Sequence, residues 1–327
     1  MLLREKFRGT GIAIVTPFQE DGSIDWHSFE NLIEFWIKGK VEYLVVLGTT
    51  GESATIHGNE KQEVFSFVNK INAGRKPLVA GIGGNDTHEV LEGFKNFDLK
   101  GYDAILSVSP YYNKPNQEGI YQHYKALNEA TPLPIIMYNV PGRTGQSVTA
   151  ETQLRIAKEL KNIFATKEAS GNFDLLNQLL KNKPDDFMVI SGDDPITLQM
   201  IAQGAEGVIS VVANAYPLDF SNMVRYCLQG DFAKAKPLHD KYIDVIASMF
   251  TEGSPSGVKA YLNEIGFVRS LFYLFPSSIT TQFFISFPSI SKRIKVRILC
   301  QPCLPAAPGF IYRQLIFSSY IIFKICE

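Results

Sequence analysis

One lysine lies inside an apolar segment of the chain. Lys167 is the fifth residue of Ile163–Ala169 (IFATKEA), a run typical of a buried β-strand. Burial lowers the pKa of an amine, and a neutral lysine is the nucleophile that forms a Schiff base with a carbonyl compound. The pattern therefore predicts Schiff-base chemistry at Lys167, with a structural ion pair to Glu168 or another acid as the alternative. If Lys167 faces the interior, alternation along the strand points Glu168 away from it.

A tyrosine and an arginine follow a second apolar segment. Pro134–Val140 (PIIMYNV) contains Tyr138 near its end and leads into Gly142–Gly145 (GRTG). A tyrosine at a strand end is suited to relaying a proton. Arg143, between glycines, is suited to holding a carboxylate through two hydrogen bonds, and a solvated surface arginine is the alternative.

Two more loops carry hydroxyl groups. In Gly48–Ser53 (GTTGES), Thr49 and Thr50 and the backbone N–H groups around them form a predicted cradle for a carboxylate or phosphate. A plain tight turn with a helix cap is the alternative. No lysine follows the glycine, which excludes a nucleotide P-loop. Ser109–Pro115 (SPYYNKP) contains paired tyrosines, a pattern more typical of packing than of chemistry.

These segments belong to a series of eight short apolar runs that start 20 to 34 residues apart. The runs are nearly continuous in apolar character, as in parallel strands that are buried on both faces. Amphipathic helical patterns lie between them at Trp26–Lys38, Glu118–Ala130 and Thr149–Leu160, with Asp25 as an N-cap. The eight predicted strands are Gly11–Pro17, Tyr43–Thr49, Pro77–Gly83, Ala104–Pro110, Pro134–Val140, Ile163–Ala169, Phe187–Asp193 and Gly207–Ala213.

Eight β/α units predict an α/β fold, a (β/α)₈ TIM barrel with a C-terminal helical extension. The alternative is a doubly wound open sheet, which usually needs a glycine-rich phosphate turn after its first strand. Here Thr16-Pro17-Phe18 ends that strand, and the nearest candidate, Gly81–Asp86, has an aspartate in place of the third glycine. The predicted division is 1–216 for the barrel, 217–267 for the helical extension and 268–327 for an atypical tail.

Composition excludes several classes of protein. A formal net charge of −1 excludes a general electrostatic binder of nucleic acid. Four cysteines in 327 residues exclude a disulfide scaffold. The five histidines are too far apart for a local zinc motif, so no metal site is predicted. The N-terminus lacks an apolar signal segment, which predicts a cytoplasmic protein.

The last 60 residues differ from the rest of the chain. They hold seven Lys/Arg but one acid, and three of the four cysteines. The uncharged stretch Ser270–Ser291 is long enough to span a membrane but is interrupted by two prolines, and we expect no membrane contact. We interpret the tail as the product of a different reading frame from the body, with a buried or disordered native tail as the alternative. Cys300-x-x-Cys303 is half of a metal motif without a second pair.

Five motifs together carry a resemblance to a known family. GTTGES, PYYNKP, YNVPGRTG, TKEASGN and SGDD occur in this order at predicted strand ends. They resemble the dihydrodipicolinate synthases, within the pyruvate-dependent class I aldolases that include N-acetylneuraminate lyase. The resemblance covers about residues 7–267 and is lost from Val268, where the family continues with about two more helices.

The resemblance implies a lyase of lysine and diaminopimelate biosynthesis. It would condense pyruvate with L-aspartate 4-semialdehyde to give 4-hydroxy-tetrahydrodipicolinate, the first committed step. Its electron sink is the covalent Schiff base on Lys167, so no cofactor or metal is implied. Tyr138 would shuttle protons, and Thr50 and Tyr112 would complete a relay with it. The substrate-binding residues that the resemblance implies are Thr49, Thr50, Arg143, Gly192 and Ile209.

The resemblance also implies self-association. The residue matching Tyr112 comes from the neighbouring subunit in this family, so a homodimer or homotetramer is expected. A lysine-effector site at the same interface would use Ser53, Ala54, Asn85, Glu89 and Tyr111. Two basic or histidine positions near that site match Gly58 and Lys61 here, which weakens the expectation of inhibition by lysine.

Two other functions stay open from the sequence. N-acetylneuraminate and sugar-acid lyases share the lysine and the tyrosine but are not expected to carry Arg143, so Arg143 favours the synthase. The second is an inactive barrel that acts as a binding protein, and this hypothesis depends on the abnormal C-terminus.

Overall fold

Eight parallel strands form a closed barrel in chain order, β1 beside β2 and onwards to β8, which pairs with β1. The computed structural model describes residues 2–251, 253–270, 282–286 and 293–297. The predicted (β/α)₈ barrel is therefore confirmed. The strands are β1 Gly9–Ala13, β2 Tyr43–Val46, β3 Leu78–Gly81, β4 Ala104–Val108, β5 Ile135–Asn139, β6 Ile163–Glu168, β7 Met188–Ser191 and β8 Gly207–Ser210.

Seven strands lie within their predicted runs, whereas β1 begins two residues earlier than predicted and ends at Ala13. The apolar run continues to Pro17, but its backbone leaves the sheet. The Val15 N–H donates to the Asn214 side chain at 3.1 Å instead of to a neighbouring strand. The strand thus ends because the side chain of Asn214, 199 residues away in the chain, accepts the Val15 N–H. A local sequence pattern does not reveal such a contact.

Apolar side chains fill both faces of the strands. One cluster fills the barrel interior with residues such as Val45, Val79 and Ile190, and Phe7 packs edge-on against Tyr43 at 5.2 Å. A larger cluster lies between the strands and the surrounding helices. Burial on two faces explains why the strand sequences are continuously apolar.

Helices connect the strands and surround the barrel. Asp25 is the predicted N-cap of α2, since its carboxylate accepts the Ser28 N–H at 3.0 Å. The helices are α1 Leu3–Phe7, α2 Trp26–Lys38, α3 Gly58–Asn72, α4 Thr87–Asn96, α5 Gln117–Ala130, α6 Pro141–Thr144, α7 Ala150–Glu159, α8 Phe173–Asn182, α9 Thr197–Ala202, α10 Pro217–Leu228, α11 Phe232–Phe250 and α12 Ser256–Glu264.

The last three helices form the predicted C-terminal extension. Helix α12 lies close against α11, because a Cβ at Gly257 would lie 2.1 Å from the Met249 carbonyl oxygen. The Tyr261 and Ser248 hydroxyls are hydrogen-bonded at 2.7 Å across the same contact. The division of the chain at residues 216 and 267 stays a prediction.

The predicted tail lies mostly outside the described residues, including Cys300 and Cys303. Within it, β9 Gln282–Ser286 pairs antiparallel with β10 Arg293–Arg297. None of the described helices is long and apolar enough to cross a membrane.

Candidate active site

Lys167 lies at the carboxyl end of β6, where the strand register places it beside Tyr138 of β5. The Lys167 side chain is 5% exposed, and its Nζ lies 4.2 Å from the centre of the Tyr138 ring. Burial lowers the pKa of Lys167 to about 8, with Asp194 opposing the shift and Arg143 adding to it. A neutral amine is therefore available near neutral pH, as the sequence predicts.

Glu168 does not pair with Lys167. Its carboxylate accepts hydrogen bonds from Gln153 Nε2 at 2.8 Å, from Asn139 Nδ2 at 2.9 Å and from the Ser170 N–H at 2.8 Å. The predicted alternation is thus confirmed, and the ion pair with Glu168 is excluded. Because Asn139 and Glu168 directly follow Tyr138 and Lys167, this buried network fixes the two strand ends that carry them.

Tyr138 is buried beside the lysine, and burial raises its pKa to about 12. Arg143 and a hydrogen bond from the Thr49 side chain oppose that shift. The phenol is therefore protonated at neutral pH and has a proton to give. Its hydroxyl neighbour here is Thr49, whereas the resemblance implies a relay through Thr50.

The two threonines lie in a 3₁₀ turn, Thr49–Gly51, which begins three residues after the end of β2. Thr50 is buried, and the Gly51 carbonyl accepts the Thr16 hydroxyl at 2.8 Å. Glu52 closes the turn with φ +59° and donates its N–H to the Thr49 carbonyl at 3.0 Å. The next α-helix begins at Gly58 with His57 as its N-cap, so the turn caps no α-helix. The tight-turn alternative is therefore right in its turn but not in its helix cap.

Arg143 lies on α6 at the same end of the barrel and is exposed. Its charge acts on the pKa of both Lys167 and Tyr138, and its Nη2 donates to the Ser254 carbonyl at 3.3 Å. The guanidinium is thus exposed, as in the surface-arginine alternative, but it is hydrogen-bonded to the extension rather than only solvated.

Gly192 lies beside Lys167 at the site. A Cβ at Gly192 would lie 2.7 Å from Ala169 Cβ and 2.9 Å from Lys167 Cε, so only glycine lets β7 approach the lysine this closely. Ile209 is buried in the barrel interior on β8.

Asp194 is a member of the site to which the sequence assigned no role. It is 3% exposed, and burial raises its pKa to about 6. One carboxylate oxygen, Oδ2, accepts the Val211 and Val212 N–H groups at 2.9 and 2.8 Å. Asp194 is also the acid that acts on Lys167. The SGDD motif contains it, but two adjacent aspartates do not show from sequence which one faces inwards.

Tyr112 does not join these side chains. It is 88% exposed and has φ +69°, so it projects from the loop after β4 into solvent. The five predicted effector residues follow three neighbouring strands: Ser53 and Ala54 after β2, Asn85 in the loop after β3 with Glu89 in the first turn of α4, and Tyr111 after β4. The Asn113 side chain donates to the Asn85 carbonyl at 3.0 Å, and Glu89 interacts electrostatically with Lys61.

No group of three or more His, Cys, Asp or Glu side chains in the described part of the chain is arranged to hold a metal ion.

Comparison with known proteins gives consistent matches. The model of the "Dihydrodipicolinate synthetase family" matches residues 6–282. The 4-hydroxy-tetrahydrodipicolinate synthase of Phocaeicola vulgatus is 46% identical over 298 residues, 90% of this chain and 100% of that protein. The synthase of the same name from Parabacteroides distasonis is 50% identical over 263 residues, 80% of this chain and 89% of that protein.

A solved structure shows the same fold. The chloride-inhibited dihydrodipicolinate synthase from Acinetobacter baumannii complexed with pyruvate matches with a TM-score of 0.79 and 40% identity, over 82% of this chain and 91% of that one. The family match also extends 15 residues beyond Phe267, the expected end of the resemblance. Val268 accordingly packs with the body: it is buried, and its carbonyl accepts Asn263 Nδ2 at 2.7 Å.

Proposed function

The chain belongs to the dihydrodipicolinate synthetase family, and on this basis we propose that it condenses pyruvate with L-aspartate 4-semialdehyde to give 4-hydroxy-tetrahydrodipicolinate. It is a lyase with a class I aldolase mechanism, which uses a Schiff base on a lysine and no external cofactor. The observation that carries the proposal is the buried Lys167 amine, with its pKa near 8, beside the protonated Tyr138 phenol.

The chemistry begins at Lys167. Its neutral amine attacks the pyruvate ketone, and the carbinolamine loses water to give an iminium. The iminium makes the pyruvate methyl acidic, and loss of a proton gives an enamine. The enamine carbon then forms a bond to the aldehyde carbon of the second substrate. Finally, the amine of that substrate displaces Lys167 and closes the ring, which returns the free lysine.

Four residues support these steps. Tyr138 donates the proton that lets the carbinolamine oxygen leave as water and accepts protons at later steps. Thr49 and Thr50, with the backbone N–H groups of their turn, hold the pyruvate carboxylate. Arg143 holds the carboxylate of the semialdehyde at the open end of the barrel, where it is exposed to incoming substrate.

Gly192 and Ile209 complete the substrate pocket. Gly192 gives the Lys167 side chain the space that a Cβ would occupy, and Ile209 belongs to the apolar cluster of the barrel interior, which also contains Tyr138. The comparisons described above name synthases and give no support to an N-acetylneuraminate or sugar-acid lyase or to an inactive binding protein.

Trapping with borohydride tests the proposal. Treatment of the protein with pyruvate and borohydride is expected to add one reduced pyruvyl group, mapped to Lys167 by mass spectrometry. The Lys167→Ala variant is the control and is expected to gain none. Absence of the adduct from the folded, unaltered protein would overturn the Schiff-base mechanism. Product formation from pyruvate and added semialdehyde, without release of pyruvate from a sugar acid, then tests the choice of substrate.

Self-association is part of the same proposal. The exposure of Tyr112 supports a site that is completed by this residue from a second copy of the chain. Lys167→Ala and Tyr112→Phe chains, each impaired alone, are expected to recover activity when co-expressed, because a mixed dimer contains one site with both native residues. No recovery in isolated mixed dimers would mean that Tyr112 does not act across subunits.

The lysine-effector residues and a cytoplasmic location stay predictions from the sequence. The electrostatic contact of Lys61 with Glu89 supports weak lysine inhibition, since an ammonium group already lies beside the single acid among the effector residues.

A further inference from the structure

A buried ion pair without a role in the proposed mechanism lies at the end of the Thr49–Gly51 turn, which is proposed to hold the pyruvate carboxylate. Glu52 and Lys259 are both 0% exposed, and the Lys259 ammonium donates to the Glu52 carboxylate. Glu52 directly follows Thr49–Gly51, whereas Lys259 lies on α12 of the C-terminal extension, 207 residues away in the chain. The Lys259 Nζ also lies 4.3 Å from the centre of the Phe18 ring.

The pair acts on the turn itself. Glu52 closes the turn through its N–H bond to Thr49 and adopts a left-handed backbone conformation, with φ +59°. Non-glycine residues adopt this conformation at a cost, which the surroundings must offset. The buried bond from Lys259 holds the Glu52 side chain, and with it the backbone that directs the Thr49 and Thr50 N–H groups and hydroxyls.

A second contact of the same extension reaches the other carboxylate-binding group. The Ser254 carbonyl, five residues before Lys259, accepts Nη2 of Arg143 at 3.3 Å. Helix α12 is fixed by its contact with α11 at Gly257 and by the hydrogen bond of Tyr261 with Ser248. One fixed segment, 254–259, thus contacts both groups that the proposed function assigns to substrate carboxylates.

We propose that this segment of the extension positions both carboxylate-binding groups, and that Lys259 and Glu52 are positioning residues for pyruvate. The inference rests on the proposed function, since it takes the Thr49–Gly51 turn as the pyruvate cradle. Desolvation offsets much of the attraction in a buried ion pair, so replacing both partners by neutral groups of similar size often leaves stability unchanged. The pair therefore acts mainly by positioning the Thr49–Gly51 turn. Its loss weakens binding of the pyruvate carboxylate more than reaction of the ketone with Lys167.

Two carbonyl compounds distinguish a misplaced carboxylate cradle from a general loss of the active site. Pyruvate uses both Lys167 and the cradle, whereas acetone forms a Schiff base with Lys167 but has no carboxylate. The double variant Glu52→Gln/Lys259→Met removes both charges and leaves no buried charge unpaired. Lys241→Met is the control, because Lys241 lies on α11 of the same extension and pairs with Asp219 at 2.8 Å, away from the turn.

Borohydride trapping at Lys167 is followed against the concentration of each probe. In the double variant, the pyruvate concentration for half-trapping is expected to rise about tenfold, the effect of losing one hydrogen bond to a charged group. Trapping by acetone and the melting temperature are expected to stay unchanged, and the control is expected to match the unaltered protein with both probes.

Three outcomes overturn the inference. An unchanged pyruvate curve in the folded double variant means that the pair does not position the cradle, and an equal loss with acetone means that it supports the whole site. Absence of a pyruvyl adduct on the unaltered protein removes the proposed function and the inference with it. If the double variant does not melt cooperatively, Glu52→Asp keeps both charges but shortens the link. It must then show the same loss that is specific to pyruvate.

Discussion

The pH dependence of Schiff-base formation tests the central feature of the site, the low pKa of Lys167. With a pKa of about 8, roughly one-tenth of the lysine is neutral at pH 7, against about 0.03% for a free lysine with a pKa of 10.5. The structure therefore supplies a roughly 300-fold larger population of the reactive amine. Trapping rates at low pyruvate concentration are expected to rise with pH and to reach half of their maximum near pH 8.

Two charge-removing variants are expected to shift this midpoint in opposite directions. The Asp194 carboxylate raises the pKa of Lys167, so Asp194→Asn lowers the pKa and moves the midpoint below that of the unaltered protein. The asparagine oxygen still accepts the Val211 and Val212 N–H groups, which preserves the local backbone. Arg143 lowers the pKa of Lys167, so Arg143→Gln moves the midpoint upwards.

The assay is the initial rate of borohydride-trapped adduct on Lys167 between pH 6 and 10, at one ionic strength. Glu129→Gln, which changes an exposed acid on α5, is the control and is expected to leave the midpoint in place. A midpoint near that of a free lysine in the unaltered protein would refute the argument from burial. Shifts of the two variants in the same direction would refute the assigned electrostatics.

Three further substitutions test the arrangement around Lys167. Tyr138→Phe keeps the ring beside Lys167 but removes the hydroxyl that transfers protons. The overall rate of condensation is expected to fall about 10²–10⁴-fold, with the melting temperature unchanged. A fall below tenfold would contradict a role of Tyr138 in proton transfer. Gly192→Ala places a Cβ 2.9 Å from Lys167 Cε, so borohydride trapping of pyruvate on Lys167 is expected to slow while the protein still folds. An unchanged trapping rate would mean that β7 shifts to make room for the methyl group. Glu168→Gln places an amide NH₂ group against the Asn139 and Gln153 donors. The free energy of unfolding in urea is expected to fall by about 1–3 kcal/mol. No change in this free energy would mean that the network rearranges without cost.

The parts of the site that sequence predicts well depend on burial and local period. Parallel strands buried on both faces leave a continuous apolar run, and a lysine in such a run is conspicuous. The alternation rule also placed Glu168 correctly, away from Lys167. For these residues the environment follows from their nearest neighbours in the chain, so one segment of sequence is sufficient to predict it.

The parts that sequence missed depend on contacts between distant segments. Asn214 ends β1 by accepting the Val15 N–H across 199 residues. Lys259 lies within an ordinary amphipathic helix, and nothing near it indicates that a buried glutamate on the second strand's loop is its partner. The identity of Asp194 as the acid near Lys167 likewise depends on neighbouring strands, because β7 pairs with β6 and the N–H groups of Val211 and Val212 after β8 hold the Asp194 carboxylate.

One physical cause prepares both reacting groups of this site. Burial disfavours charge, so it lowers the pKa of Lys167 towards neutrality and raises that of Tyr138. At neutral pH the free site thus contains a usable fraction of neutral amine with its lone pair, and the phenol keeps the proton that the carbinolamine oxygen needs to leave. Formation of the iminium replaces the neutral amine by a fixed cation beside the Tyr138 ring. A nearby positive charge lowers the pKa of a phenol, so the iminium stabilises the phenolate that proton donation leaves on Tyr138, and this phenolate is in place when the methyl proton must be removed.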